Sequence, residues 1–305
     1  LKLGLVGFGK IARDQHLPAV AQTDGIELTA VASRNAQAEG VANYPDLAAM
    51  LAGEPALDAI VLCQPPQVRF AAARQAIQAG KHVFLEKPPG ATLSEVEALI
   101  ALAADKGVTL FASWHSREAA AVAQAKAWLA ARELRAVRIT WKEDVRVWHP
   151  GQTWIWEPGG FGVFDPGINA LSILTEIMPE PVRLTGAELA VPENCAAPIA
   201  ATLEMRTASG VPVAAEFDFL QTGPQSWDIA VETDIGPLLL QHGGNSLTIG
   251  GESQEVKAAD EYPALYRRFV DLVRQGRSDA DLAPLRLVAD AFLTGRTRIT
   301  AAFIE

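Results

Sequence analysis

Three residues have types and places suited to proton chemistry on an oxygen: Lys87, Asp165 and Asn169. Lys87 stands in Glu86-Lys87-Pro88-Pro89-Gly90, where an apolar run ends. An ammonium there is a point cation whose pKa can fall on burial, so it can polarise an oxygen or shuttle a proton. The plainer reading is a solvated loop lysine. Asp165 and Asn169 are four residues apart, just past the Gly-rich stretch Trp156–Gly162. On a helix, that spacing puts both on one face. Asp165 precedes Pro166, so a helix cap with proline at the first helical position explains the same residues without any chemistry.

A second constellation opens the chain. Gly7-Phe8-Gly9-Lys10-Ile11-Ala12 follows the apolar run Lys2–Val6 and matches a G-x-G-x-x-G/A turn. Gly7 allows the tight turn, Gly9 lets a pyrophosphate approach the backbone, and Ala12 lets helix and strand pack closely. The helix start, at Lys10 and Ile11, offers unpaired N–H groups and a positive dipole end to phosphates. The second strand ends Val31-Ala32-Ser33-Arg34-Asn35 without the acidic residue that holds an NAD ribose. Ser33 and Arg34 can instead donate to a 2′-phosphate, which favours NADP, while nothing repels NAD.

Aromatic density marks a third region. Four of the seven tryptophans lie between Trp141 and Trp156, interleaved with Glu143 and His149. Indole faces suit sugar C–H groups, and carboxylates and imidazoles bind sugar hydroxyls, although such rings also fill cores. The five histidines show no H-x-x-x-H or H-x-H spacing, so no metal is expected.

The elements that must position these groups fall into two sets. Up to about residue 115, strand and helix signals alternate, as a parallel, doubly wound α/β sheet requires. Strands are expected at Ile26–Ser33, Asp58–Cys63, His82–Leu85 and Val108–Ala112, and helices at Gln67–Ala79 and from a Ser94/Glu97 capping box to Gly107. Ligands of open α/β sheets sit at strand carboxyl ends. Those ends carry Gly7–Gly9, Ser33-Arg34, Gln64-Pro65-Pro66, Glu86-Lys87 and Trp114-His115. After a helix at Ala119–Ala131 come long alternating runs, beginning with Ala136–Val147 and ending with Ser246–Ile249. Between them a helix is expected at Pro166–Met178, and late helices at Tyr262–Arg274 and Pro284–Thr294. The division expected is a dinucleotide-binding Rossmann domain over 1–117 and an α+β domain over 118–305 with a large, mostly antiparallel open sheet.

Composition narrows the class. The chain has 305 residues, a net charge of -10 and only two cysteines, Cys63 and Cys195. No basic run or zinc spacing appears, so neither nucleic acid nor a disulfide framework is expected. Without an apolar stretch of 18 residues or a cleavable signal pattern, the expectation is a cytoplasmic protein with a small-molecule substrate and no membrane partner.

The G-x-G-K-I-A turn, the E-K-P strand end and the D-x-x-x-N helix resemble the glucose–fructose oxidoreductase/inositol dehydrogenase (Gfo/Idh/MocA) family, over the whole chain. Ile11–His16, Glu86–Gly90 and Trp156–Leu171 resemble more narrowly its aldose 1-dehydrogenases, whose members act on L-arabinose and D-galactose. The resemblance implies oxidation of the anomeric carbon, foremost of L-arabinose and also of D-galactose, to an aldonolactone, with hydride transfer to NADP or NAD. It implies Lys87, Asp165 and Asn169 as catalytic residues, with Asp165 as the base. Most members carry histidine where Asn169 stands, and asparagine accepts no proton near neutral pH. Gly7, Gly9, Lys10, Ile11, Ser33, Arg34, Gln64, Pro65, Glu86 and Lys87 would hold the cofactor. His115, Glu143 and His149 would read sugar hydroxyls together with Lys87, Asp165 and Asn169, and Trp148 and Trp227 would pack on the ring. A homo-oligomer through the C-terminal sheet is expected. A polyol or dihydrodiol dehydrogenase and a non-catalytic, sugar-sensing regulator are the alternatives on this fold.

Overall fold

The structure, a computed structural model, describes residues 1–305. The chain divides into two compact units, one of Leu1–His115 with Glu261–Leu282 and one of Ser116–Asp260 with Ala283–Glu305.

The first unit is a six-stranded sheet. Its strands are β1 (Lys2–Val6), β2 (Glu27–Ala32), β3 (Ala42–Tyr44), β4 (Ala59–Leu62), β5 (His82–Glu86) and β6 (Leu110–Ser113), in the spatial order β3-β2-β1-β4-β5-β6. Every pairing is parallel. A parallel sheet is covered on both faces, which is why β4 is buried along its length. The helices are α1 (Leu17–Ala21), α2 (Leu47–Gly53), α3 (Pro66–Gln78) and α4 (Leu93–Lys106). A π-helical turn, Ala12–His16, leads into α1. The cap of α4 lies two residues before the expected Ser94. Thr92 Oγ1 accepts from the Glu95 N–H at 3.3 Å, and Glu95 Oε2 accepts from the Ala91 N–H at 3.3 Å. β3 and α2 were not foreseen: β3 has only three residues, and α2 starts from Asp46, whose carboxylate caps the Ala49 N–H at 2.8 Å.

The second unit opens with α5 (Val122–Leu129), shorter than the helix expected there. β7 (Leu134–Lys142) follows, then α6 (Val145–Trp148) and α7 (Phe164–Ile177). β8 (Val182–Pro192), β9 (Ala200–Thr207), β10 (Pro212–Asp218), β11 (Ser226–Thr233), β12 (Gly236–Gln241), β13 (Ser246–Ile249) and β14 (Glu252–Ser253) complete the main run. The expected strand Ala136–Val147 therefore stops at Lys142. Asp144 accepts from the Arg146 N–H at 3.0 Å, starting a helical turn where the alternation of side chains reads as strand.

The late segments follow in chain order: α8 (Glu261–Gln275), α9 (Ala283–Thr294) and β15 (Arg296–Thr300). The second unit's sheet has nine strands in the order β14-β13-β12-β11-β7-β10-β9-β8-β15. It is antiparallel except where β10 meets β7 and β15 meets β8. In β9, Ala201, Leu203, Met205 and Thr207 turn inward while Thr202, Glu204 and Arg206 face out, the pattern of a sheet with one covered face. α7 packs with α5, α9, β7 and β11.

α8 corrects the expected boundary. Residues 118–305 were expected to form the second domain, yet Tyr262, Leu265, Tyr266, Phe269 and Leu272 share the core of Leu3, Leu5, Phe84 and Phe111. Their i, i+3, i+4, i+7 spacing makes one apolar stripe, and it covers one face of the parallel sheet.

Candidate active site

Gly7 holds φ 91°, and a Cβ on it would lie 2.9 Å from the Gln64 backbone nitrogen. Glycine is required there on both counts. Gly9 differs: a Cβ on it would meet no heavy atom within 4 Å. Its absent side chain serves no internal packing and leaves the backbone open. Ala12 is fully buried where the helix meets the strand. Gly7, Gly9, Ser33, Arg34, Gln64 and Pro65 line one cleft of about 600 Å³. Gln64 Oε1 is buried without a hydrogen-bond partner. An open glycine, an unsatisfied amide oxygen and a cleft at the carboxyl ends of the strands fit a dinucleotide. Arg34 is exposed at this cleft and Ser33 half-buried. Lys10 is exposed and bonds Asp14 one turn on. The Ile11 side chain is 37% exposed. Asp46, which sequence reasoning missed, also lines the cleft, and its signal was a cap residue before an apolar helix.

Glu86 turns inward from the end of β5. Its Oε1 accepts from His16 Nε2 at 2.9 Å and from the Tyr262 hydroxyl at 2.9 Å, and its Oε2 accepts from the Lys87 N–H at 2.8 Å. The other His16 nitrogen meets the Tyr266 hydroxyl at 2.8 Å. Burial opposes a charge on Glu86. His16, through its hydrogen bond and its charge, with His115 and Arg69, overrides that cost and holds the carboxyl at about 2. Arg69, 2% exposed, donates to the carbonyls of Gln64, Glu86 and Pro88. The peptide joining Lys87 to Pro88 is cis. Lys87, half-buried, is thus carried on a strand end fixed by its neighbours on both sides. The carboxylate of Glu86, expected at the cofactor, serves this interior network. Tyr262 and Tyr266 were missed as site residues because they arrive on α8, and His16 and Arg69 because nothing in their local sequence marks them as partners of the strand end at Glu86. His115 Nδ1 pairs with Glu261 at 2.6 Å, and its ring stacks on Tyr262.

In the second unit, α7 begins at Phe164, and its cap residue Val163 makes no side-chain bond. Asp165 is therefore inside the first turn, so the simple cap reading does not describe it. It is 4% exposed. Asn169 follows one turn later, half-buried among buried neighbours. His149 stands between two carboxylates: Nε2 is 3.0 Å from Glu143 Oε1 and Nδ1 is 3.5 Å from Asp165 Oδ2. The second oxygen of Glu143 accepts from Trp227 Nε1 at 2.8 Å. Glu143, 2% exposed, has both oxygens engaged within the protein. The Trp227 ring is tilted against Trp148, centroids 4.8 Å apart, and stacks on the buried Trp141. Trp148 stays 42% exposed, a free apolar face beside the cluster. Glu143, His149, Asp165, Trp148 and Trp227 form one connected group, whereas Lys87 and His115 belong to the first unit.

Residues 1–113 match the oxidoreductase family with an NAD-binding Rossmann fold, GFO/IDH/MocA. The whole chain is 45% identical to galactose 1-dehydrogenase of Pseudomonas fluorescens, over 99% of that protein. The crystal structure of D-galactose-1-dehydrogenase from Rhizobium etli is 57% identical and superposes with a TM-score of 0.96, covering 99% of this chain and 97% of that one. A 3-ketoreductase from Actinomadura kijaniata, crystallised with TDP-benzene and NADP, shares the fold alone, at 19% identity and a TM-score of 0.86 over 98% of this chain and 99% of its own. No helix is long and apolar enough to cross a membrane. With a full-length relative at this identity and the dinucleotide cleft in place, the chain belongs to the GFO/IDH/MocA oxidoreductase family.

Proposed function

We propose that this protein is an aldose 1-dehydrogenase that oxidises the anomeric carbon of D-galactose and L-arabinose to the aldonolactone, with NADP as the preferred hydride acceptor. The observation that carries the reading is Asp165, a buried carboxylate in the first turn of α7, joined to His149, Glu143 and the Trp148–Trp227 ring pair. A carboxylate suits removal of a hydroxyl proton, and indole faces suit a sugar ring. The relatives named for galactose support D-galactose. L-arabinose, which the sequence reading puts first, has the same arrangement at C2 to C4 and lacks only the group at C5. No relative described above speaks for it by name.

In this reading the bound nicotinamide supplies a hydride acceptor at C1. Asp165 removes the anomeric hydroxyl proton, and Asn169 holds the same hydroxyl. Lys87 donates a charge-assisted hydrogen bond to the reacting oxygen as its charge develops. Ser33 and Arg34 hold the 2′-phosphate, and the open backbone at Gly9 admits the pyrophosphate.

The test is to mix the protein with NADP or NAD and a panel of aldoses, inositols and dihydrodiols, and to follow the absorbance of the reduced nicotinamide. The expected result is turnover with D-galactose and L-arabinose and the higher kcat/KM with NADP. Turnover with inositols alone, or none at all, overturns the reading.

A further inference from the structure

Asn169 leaves α7 without an imidazole beside its base. The second unit supplies one from the segment after α6. We propose that His149 receives the proton Asp165 takes from the substrate hydroxyl, with Glu143 holding the ring in the accepting tautomer. The proposal rests on the aldose 1-dehydrogenase reading above, and it makes His149 a residue acting through Asp165 rather than a reader of sugar hydroxyls.

The geometry sets the tautomer. A carboxylate only accepts, so Nε2, 3.0 Å from Glu143 Oε1, carries the ring hydrogen. Nδ1 faces a second carboxylate oxygen, Asp165 Oδ2, at 3.5 Å; in the neutral ring it is the acceptor that Asp165 meets once that carboxyl has taken a proton. Trp227 Nε1 holds the other Glu143 oxygen at 2.8 Å, which fixes the carboxylate in place. Gln152 Oε1 lies 3.4 Å from Nδ1; its amide offers an oxygen or, turned over, an NH2, and so suits either protonation state. Titratable groups facing the ring include Glu143, just past the end of β7, and Asp165, from α7. From the sheet side the ring meets Phe219, centroids 5.4 Å apart. The 3.5 Å separation is long for a transfer, as catalytic hydrogen bonds often are before substrate closes on them.

The step balances as follows. The anomeric O–H bond breaks and its proton bonds to a carboxylate oxygen of Asp165. The C1–H bond breaks, its electron pair leaves as hydride to the bound nicotinamide, and C1–O becomes a carbonyl. The new O–H bond of Asp165 breaks as an N–H bond forms at Nδ1, and Asp165 is again a carboxylate. The imidazolium then lies between two carboxylates, which favour its charge. The His149 side chain keeps 15% exposure, so the proton can pass on to water.

Two measurements test this. The first is kcat against pH for wild type, His149→Asn and His149→Gln with D-galactose and L-arabinose. Loss of the relay is expected to lower kcat about 100-fold near neutral pH and to remove the acid limb of the profile. A kcat within about threefold of wild type, or a loss confined to KM as for a hydroxyl reader, overturns the proposal. The second is NMR titration of the His149 ring without sugar, which needs no activity and no His149 variant. Asp165→Asn and Glu143→Gln are each expected to lower its midpoint by about one unit. A midpoint unmoved by Asp165→Asn overturns the relay. A wild type that oxidises no aldose overturns the substrate reading instead, and the titration still decides the coupling.

Discussion

His16 Nε2 lies 2.9 Å from Glu86 Oε1, both side chains being almost wholly buried, and this bond ties the helix of the glycine fingerprint to the strand end that carries Lys87. Tyr262 and the Lys87 N–H take up further sites on the same carboxylate. Removing one partner of such a pair leaves a buried charge without compensation. Glu86→Ala is expected to destabilise the protein by about 3–5 kcal/mol. Urea unfolding measures it, and a loss under about 1 kcal/mol would show that the pair is worth no more than a surface bridge.

The same pair makes stability depend on pH. Burial disfavours the charge on His16, yet Cys63, Tyr266 and Glu86 together raise its pKa well above the ordinary 6.5. Its contribution is complete below 6.5 and is lost as pH rises through that raised value. Glu86 is held at about 2, below its usual 4.5, so its contribution is complete above 4.5 and is lost as pH falls through about 2. The stability gap between wild type and Glu86→Gln should therefore be widest between about pH 4.5 and 6.5 and narrow toward pH 2. Melting curves across that range check it; a gap constant with pH contradicts the assignment.

Asp165→Ala is expected to lower kcat by about two orders of magnitude or more while NADP affinity stays within about twofold. The split follows from location. Asp165 belongs to the second unit, and the cleft with the glycine fingerprint is built wholly from the first. Stopped-flow turnover beside a cofactor-binding titration reads both quantities, and near-normal kcat would remove Asp165 from the base role.

Much of this was legible in the sequence, and the failures have a common cause. Gly7, Gly9, Ser33, Arg34, Gln64 and Pro65 are local to strand ends, and strand ends can be read from apolar runs, so the cleft they line was foreseen. The Glu86 network was not, since Tyr262 and Tyr266 reach it from α8, more than 170 residues later in the chain. Glu143, His149, Asp165 and Trp227 were each singled out, yet their pairing was not, because Asp144 turns the chain into α6 where alternation predicts strand. Periodicity reports which face is apolar; it carries no information on which distant element will cover that face.

Cofactor choice gives a sharper test of one side chain. Arg34 is exposed at the cleft, and the residues directly after β2, Ser33, Arg34 and Asn35, include no acid to hold a ribose hydroxyl. A guanidinium there bonds a 2′-phosphate and gains nothing comparable from a 2′-hydroxyl. Arg34→Ala is expected to raise KM for NADP about tenfold or more and to leave KM for NAD within about twofold. Equal effects on the two cofactors would mean that Arg34 stacks on the adenine they share.

The two fingerprint glycines separate folding from binding. At Gly7 a Cβ would lie 2.9 Å from the Gln64 nitrogen, with φ at 91°, so Gly7→Ala has to strain the backbone whether or not a dinucleotide is present. The cost expected is about 1–3 kcal/mol, seen as a lowered Tm of the free protein. At Gly9 the added methyl would meet nothing within 4 Å, so Gly9→Ala should leave the Tm of the free protein within about 1 °C of wild type. The same methyl occupies the path of a pyrophosphate toward the backbone, and the dinucleotide Kd should rise about tenfold or more. Calorimetry of both variants with and without NADP reads the four quantities. If Gly9→Ala weakens folding and binding alike, the open side of that glycine is not where the phosphates lie.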